Sequence, residues 1–165
     1  MSRPPRLHGF EYSGRHLYFL TFCTDRRAEI LRDHGVATMV IECIRRSSHR
    51  YGFAVYAYCL MPDHVHLLVH GTSAAADLRR FVKTAKQSSG QTYAARTKRR
   101  LWQDGYYDHV VRPEEDPTAI VRYIIENPVR AGIVQSSLDY PFVGSDIWPV
   151  ELIVRGGSAP PGPRE

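Results

Sequence analysis

Two histidines one residue apart lie in the stretch Tyr58-Cys-Leu-Met-Pro-Asp-His64-Val-His66-Leu-Leu-Val-His70, which reads as a strand end, a Pro62-Asp63 turn and a second strand. Side chains alternate faces along a strand, so His64, His66, Leu68 and His70 share one face, and Val65, Leu67 and Val69 turn to the other, the core. Two co-facial imidazoles at this spacing can hold one divalent cation. Taken alone, a His-x-His is more often a pair of ordinary polar residues on an open sheet face. A second stretch, Arg122-Tyr123-Ile-Ile-Glu-Asn127, bears on that choice. Tyr123 and Asn127 are four apart and so stand one turn apart on one face of a helix. A lone helix tyrosine is usually a half-buried aromatic with a satisfied hydroxyl. Here it is accompanied by two co-facial histidines, a carboxamide one turn on, and Arg130.

The elements that must position these groups follow from periodicity. His16 to Thr24 is an aromatic and apolar run that predicts a buried strand. Val36, Met39, Val40, Cys43 and Ile44 recur at helical spacing within a helix from about Leu31 to Arg50, ended by Gly52. Phe53 to Met61 and His64 to His70 are two strands joined by a two-residue turn, hence an antiparallel hairpin. Asp77 to about Thr97 is a second helix, and roughly Tyr106 to Val111 a fourth strand. Asp116 or Thr118 caps a third helix that Pro128 stops near Asn127, and Gly132 closes a further short turn. The order βαββαβ predicts an α+β, ferredoxin-like antiparallel sheet with two helices on one face and an additional C-terminal helix carrying Tyr123. That helix should dock on the open face, where His64 and His66 point. Residues 1–15 read as a basic N-terminal arm, 16–154 as the domain, and 155–165 as a disordered Gly/Pro/Ser-rich tail.

The chain of 165 residues is one domain by length, with a net charge of +5 and a pI near 9.3. A basic balance favours a polyanionic partner such as nucleic acid. No apolar run has the length of a membrane span, and no secretory leader is evident, so a cytoplasmic, nucleoid-associated protein without a membrane partner is expected. Cys23, Cys43 and Cys59 are scattered and read as reduced core thiols.

Met61-Pro-Asp-His64-Val-His66-Leu-Leu-Val, followed by Trp102-Gln, Tyr107-Asp-His and Tyr123-Ile-Ile-Glu-Asn127-Pro-Val-Arg-Ala-Gly132, resembles the single-tyrosine HUH transposases, and within them the REP-associated branch. The resemblance covers residues 8 to 145. It implies that Tyr123 is the nucleophile, forming a covalent 5′-phosphotyrosine, and that His64, His66 and Asn127 hold Mg²⁺ or Mn²⁺. Insertion-sequence members usually carry glutamine where this chain has Asn127, one methylene shorter. It further implies single-stranded or hairpin, REP-like DNA as substrate and a monomer or homodimer as the working form. Lys83, Lys86 and Gln87 on the second helix, with Arg96, Lys98, Arg99 and Arg100, would line the phosphate path. Trp102 and Tyr107 would stack unpaired bases, with core packing the alternative for Trp102. Arg122 and Arg130 would hold the scissile region. Two other functions fit the same residues: a non-catalytic structured-DNA or RNA binder on this scaffold, and a small His-x-His metallohydrolase.

Overall fold

A computed structural model describes residues 10–156 of the chain. In β1, Leu17–Cys23, the alternate residues Tyr18, Leu20 and Phe22 are buried, as a half-covered strand requires. β2, Phe53–Met61, and β3, His64–Gly71, form the hairpin around Pro62-Asp63, with Met61 opposite His64. β3 pairs antiparallel with β1, and β1 with β4, Tyr107–Val110. A two-residue strand, β5 at Val143–Gly144, adds to the far side of β2, giving the order β4-β1-β3-β2-β5. The ferredoxin-like arrangement is therefore present with one extra edge strand. Gly144 is required there, because its Cα lies against the Tyr58 ring and leaves no room for a side chain.

Helices cover both faces. On one face, α1 (His34–Arg50) and α2 (Leu78–Thr97) pack over Tyr18, Leu20, Val65, Leu67 and Val69. Asp33 and Asp77 cap them, accepting from Val36 N at 2.9 Å and Arg80 N at 3.0 Å. Leu31 and Arg32, expected in the first helix, belong instead to a separate 3₁₀ turn, Ile30–Arg32, before Asp33. On the other face, α3 (Pro117–Ile125) and α5 (Val150–Val154) bring Val121, Ile124, Ile125 and Ile153 onto Cys59, Met61 and Leu68. Asp116 caps α3 by accepting from Thr118 N at 2.9 Å. α3 stops at Ile125, short of Asn127, because Pro128 has no N–H to return to the Ile124 carbonyl. The chain resumes as α4, Asn127–Arg130, and ends at Gly132 with φ of 70°.

Two features depart from the expected pattern. The β2–β3 register slips between Val55 and Ala57, so Tyr56 and Ala57 both join the α3 side. Without that bulge, Cys59 and Met61 would face away from the histidines. The N-terminal arm is also not free over its described part. Tyr12 is 6% exposed, stacks on Tyr18 at 6.3 Å and lies under the Arg79 guanidinium, because an aromatic ring there completes the core over β1. Residues 1–9 and the expected tail from 157 onward lie outside the described residues. Among the described residues, no helix is long and apolar enough to cross a membrane.

Candidate active site

β3 delivers both histidines to the face that α3 covers. His64 Nε2 and His66 Nε2 are 3.2 Å apart, with ring centroids at 4.7 Å. Each outer nitrogen is engaged: His64 Nδ1 lies 2.6 Å from Asp63 Oδ1, and His66 Nδ1 lies 2.8 Å from Thr21 Oγ1. Asp63 is held in turn by Arg27, Nε to Oδ2 at 2.9 Å. Imidazoles tied at Nδ1 by oxygens, with both Nε2 atoms converging, are the donor set of a divalent cation site with its outer shell in place. His66 is 8% exposed, and burial, then His64, Arg130 and Arg27, push its pKa down to about 3. It is neutral at physiological pH, as a ligand must be. Among the described residues, no three His, Cys, Asp or Glu side chains gather around one point.

Tyr123 stands over this pair. Its ring centroid is 6.0 Å from that of His66 and 6.2 Å from that of Phe19, whose ring also lies against His66 at 5.4 Å. The α3 residues that fix it, Val121, Ile124 and Ile125, are buried, while Tyr123 keeps 47% of its surface exposed. Arg130 returns from α4 to sit over the Tyr123 ring at 4.1 Å and donates to the Tyr123 carbonyl at 2.7 Å. A pocket of about 350 Å³ beside the tyrosine is lined by Thr118, Arg122, Glu126 and Arg130. Asn127 heads α4 half-buried, with no hydrogen-bond partner for its carboxamide among the described residues.

The remaining predicted residues divide into two groups. Tyr107 is 37% exposed and shares the site's face: Tyr107, Thr21, His66 and Cys59 form one row across four strands. Its ring meets Phe19 at 6.2 Å. The others lie on the α1/α2 side, around a groove of about 980 Å³ between α2 and residues 98–106. Lys83, Gln87, Lys98 and Arg99 are exposed along it, and Arg96 is exposed near its end, on the last turn of α2. Lys86 is committed to the Gln103 and Gly105 carbonyls, and Arg100 to the Trp102 carbonyl and Asp104, so both brace the loop. Trp102 is the core residue of its two alternatives. It is 5% exposed, meets Phe22 edge-on at 4.9 Å and donates Nε1–H to Ser89 Oγ, so no ring face is left for a base. Thr21, Phe19, Arg27 and Asp63 escaped sequence reasoning. Asp63 was readable as a neighbour of His64, but Thr21 meets His66 across 45 residues.

The chain is similar to proteins with this geometry. A Haemophilus influenzae protein provisionally named a REP-associated tyrosine transposase is 27% identical over 151 residues, 81% of this chain and 85% of its own length. The REP-associated tyrosine transposase of Escherichia coli K12 is 24% identical over 140 residues, 81% and 82% of the two chains. The solved structure of a REP-associated tyrosine transposase bound to a REP hairpin shares the fold, with a TM-score of 0.70 at 24% identity over 87% of this chain and 82% of that one. A provisionally named transposase of Deinococcus radiodurans superposes with a TM-score of 0.52 at 26% identity, over 77% and 97%. The model of the family described as "Transposase IS200 like" matches residues 13–127, which hold strands β1 to β4, both histidines, Tyr123 and Asn127. The chain belongs to the IS200-like transposase family.

Proposed function

We propose that this transposase is a metal-dependent single-stranded DNA endonuclease and strand transferase that acts on hairpin, REP-like DNA through a covalent 5′-phosphotyrosine. The observation that carries it is the exposed Tyr123 ring beside two imidazoles whose Nε2 atoms converge at 3.2 Å. His64 and His66 would hold Mg²⁺ or Mn²⁺, with Asn127 as a neutral third donor and other positions left to the substrate. The bound ion would supply Lewis-acid polarisation of the scissile phosphate. Phenols titrate near pH 10 in water, so a tyrosine nucleophile gains from adjacent positive charge, and Arg130 at 4.1 Å supplies it. Tyr123 gives up its phenolic proton to solvent as its oxygen bonds to phosphorus, the P–O3′ bond breaks, and the departing 3′ oxygen takes a proton from solvent. A later 3′-hydroxyl attacking the same phosphotyrosine reverses the step and joins strands. Arg122, in the pocket beside Tyr123, would hold a flanking phosphate. The groove along α2 would take the hairpin backbone through Lys83, Lys98 and Arg99. Such work belongs in the cytoplasm, on chromosomal DNA.

The test is a denaturing gel of labelled single-stranded DNA carrying a REP-like hairpin, with Mn²⁺ or EDTA. The expected result is a protein–DNA adduct that needs the metal and vanishes in Tyr123→Phe. Cleavage that survives Tyr123→Phe overturns the nucleophile. Tight, salt-sensitive hairpin binding with no adduct favours the non-catalytic binder.

A further inference from the structure

We propose that Arg27, Asp63 and Thr21 are positioning residues that hold the two imidazoles at their Nδ1 atoms and so turn both Nε2 atoms to one point. The cation such an arrangement serves rests on the proposed function; the positioning rests on geometry alone.

Asp63 Oδ1 is 2.6 Å from His64 Nδ1, and an ionised carboxylate only accepts, so His64 carries its proton on Nδ1. His66 is held the same way: its Nδ1 lies 2.8 Å from the Thr21 hydroxyl, which leaves its Nε2 facing His64 Nε2 at 3.2 Å. A hydroxyl can meet that nitrogen as donor or, by rotating, as acceptor, which no apolar side chain of the same shape can do.

The backbone turns sharply where Arg27 meets Asp63. Arg26 and Arg27 have φ of 53° and 57°, two successive left-handed residues with full side chains, a strained arrangement. That turn aims the Arg27 guanidinium at Asp63 Oδ2 and at Cys23 Sγ, both at the mouth of the histidine pair. The loop after β1 is also clamped to the hairpin turn, since Thr24 N donates to the Asp63 carbonyl at 3.0 Å and Leu31 N donates to the Pro62 carbonyl at 2.9 Å. An exposed ion pair of no consequence would not need two left-handed arginines to form it.

The experiment uses the full chain without DNA. Imidazole ¹⁵N NMR of the metal-free protein reads the tautomers, Mn²⁺ titration followed by electron paramagnetic resonance reads affinity, and Tm reads the fold. Wild type should show His64 protonated at Nδ1, where it faces the Asp63 carboxylate. Arg27→Gly keeps the backbone conformation at no steric cost, yet should mix the His64 tautomers and weaken Mn²⁺ roughly 10–100-fold, the range for lost outer-shell partners. Thr21→Val should weaken Mn²⁺ by a similar factor with Tm held, and Thr21→Ser should restore it. Wild-type His64 protonated at Nε2, or Mn²⁺ affinity unchanged in both Arg27→Gly and Thr21→Val, overturns the proposal. A wild type with the stated His64 tautomer that takes up no Mn²⁺ overturns the cation reading instead, and leaves the positioning supported.

Discussion

Arg130 joins two tasks at Tyr123 that separate on mutation. Its guanidinium lies 4.1 Å over the ring and its Nη2 donates to the Tyr123 carbonyl at the break between α3 and α4. Arg130→Ala removes the positive field from Tyr123, the proposed nucleophile, and a cap from the helix end, while the groove along α2 is untouched. A cation stacked at an exposed site is worth about 0.5–1 kcal/mol, so adduct formation should slow roughly two- to fivefold. Hairpin affinity, measured by gel shift in EDTA, should stay near wild type; equal loss of both would show that Arg130 serves binding instead. The thiols around the site give a simpler check. Cys59 sits beside His66 across the sheet, fully buried, and burial pushes its thiol up to about 12. Alkylation of the folded protein should therefore label the half-exposed Cys23 first and leave Cys59 unmodified until unfolding, as mass spectrometry of the peptides would show. At this scale the sequence was readable where spacing alone decides the face, as for His64 and His66. It was silent where a partner arrives from elsewhere in the chain. Thr21 reads as one more strand residue until β1 is laid against β3, and Trp102 reads as a stacking ring until Ser89 and Phe22 enclose it.

The element that carries Tyr123 is α3, and its entry is stapled to the sheet by charge. Glu115 accepts from Arg112 N at 2.8 Å and meets His109 Nε2 at 2.8 Å, fastening the loop before Asp116 to β4. The Arg112 N–H, then His109, hold the Glu115 carboxyl below the usual carboxylate range. A carboxyl whose folded pKa is depressed adds stability above its unfolded value, and that stability is lost as pH falls through the folded value. Protection of the first-turn amides of α3 against hydrogen exchange should accordingly drop on acidification from neutrality to below the unfolded carboxylate value. In Glu115→Gln this extra acid sensitivity should be absent. The helices themselves were legible, because Asp33, Asp77 and Asp116 each precede an amphipathic run. The bulge at Tyr56 was not: β2 is apolar at every position, so no alternation exists to reveal that the register shifts. The end of α3 was placed two residues late because Pro128 disrupts the helix before its own position.

Across the whole molecule, the basic groove and the tyrosine lie on opposite faces of one sheet but at the same end of it. Cys23, the last residue of β1, is opposite His64 on one side, and its carbonyl accepts from Gln103 N in the groove loop on the other. Between them runs β4, an edge strand, where Tyr106 packs toward the α1/α2 core and Tyr107 toward the site. Under the proposed function, DNA held in the groove would reach Tyr123 over the β4 edge and past the Tyr107 ring. The two ends of this path should respond differently to mutation. Lys83→Glu and Arg99→Glu should weaken hairpin binding and flatten its salt dependence, each lost phosphate contact reducing the slope of log K against log salt by roughly 0.7–0.9. Tyr107→Ala should leave that slope unchanged, because a ring carries no counterions, and should cost about 1–3 kcal/mol of stacking on the single strand alone. Its adduct yield should fall for a hairpin with a single-stranded flank and its affinity stay constant for the bare hairpin. If Tyr107→Ala instead weakened the bare hairpin as much as the charge reversals do, the duplex would have to lie on the α3 face and the groove would not be its seat.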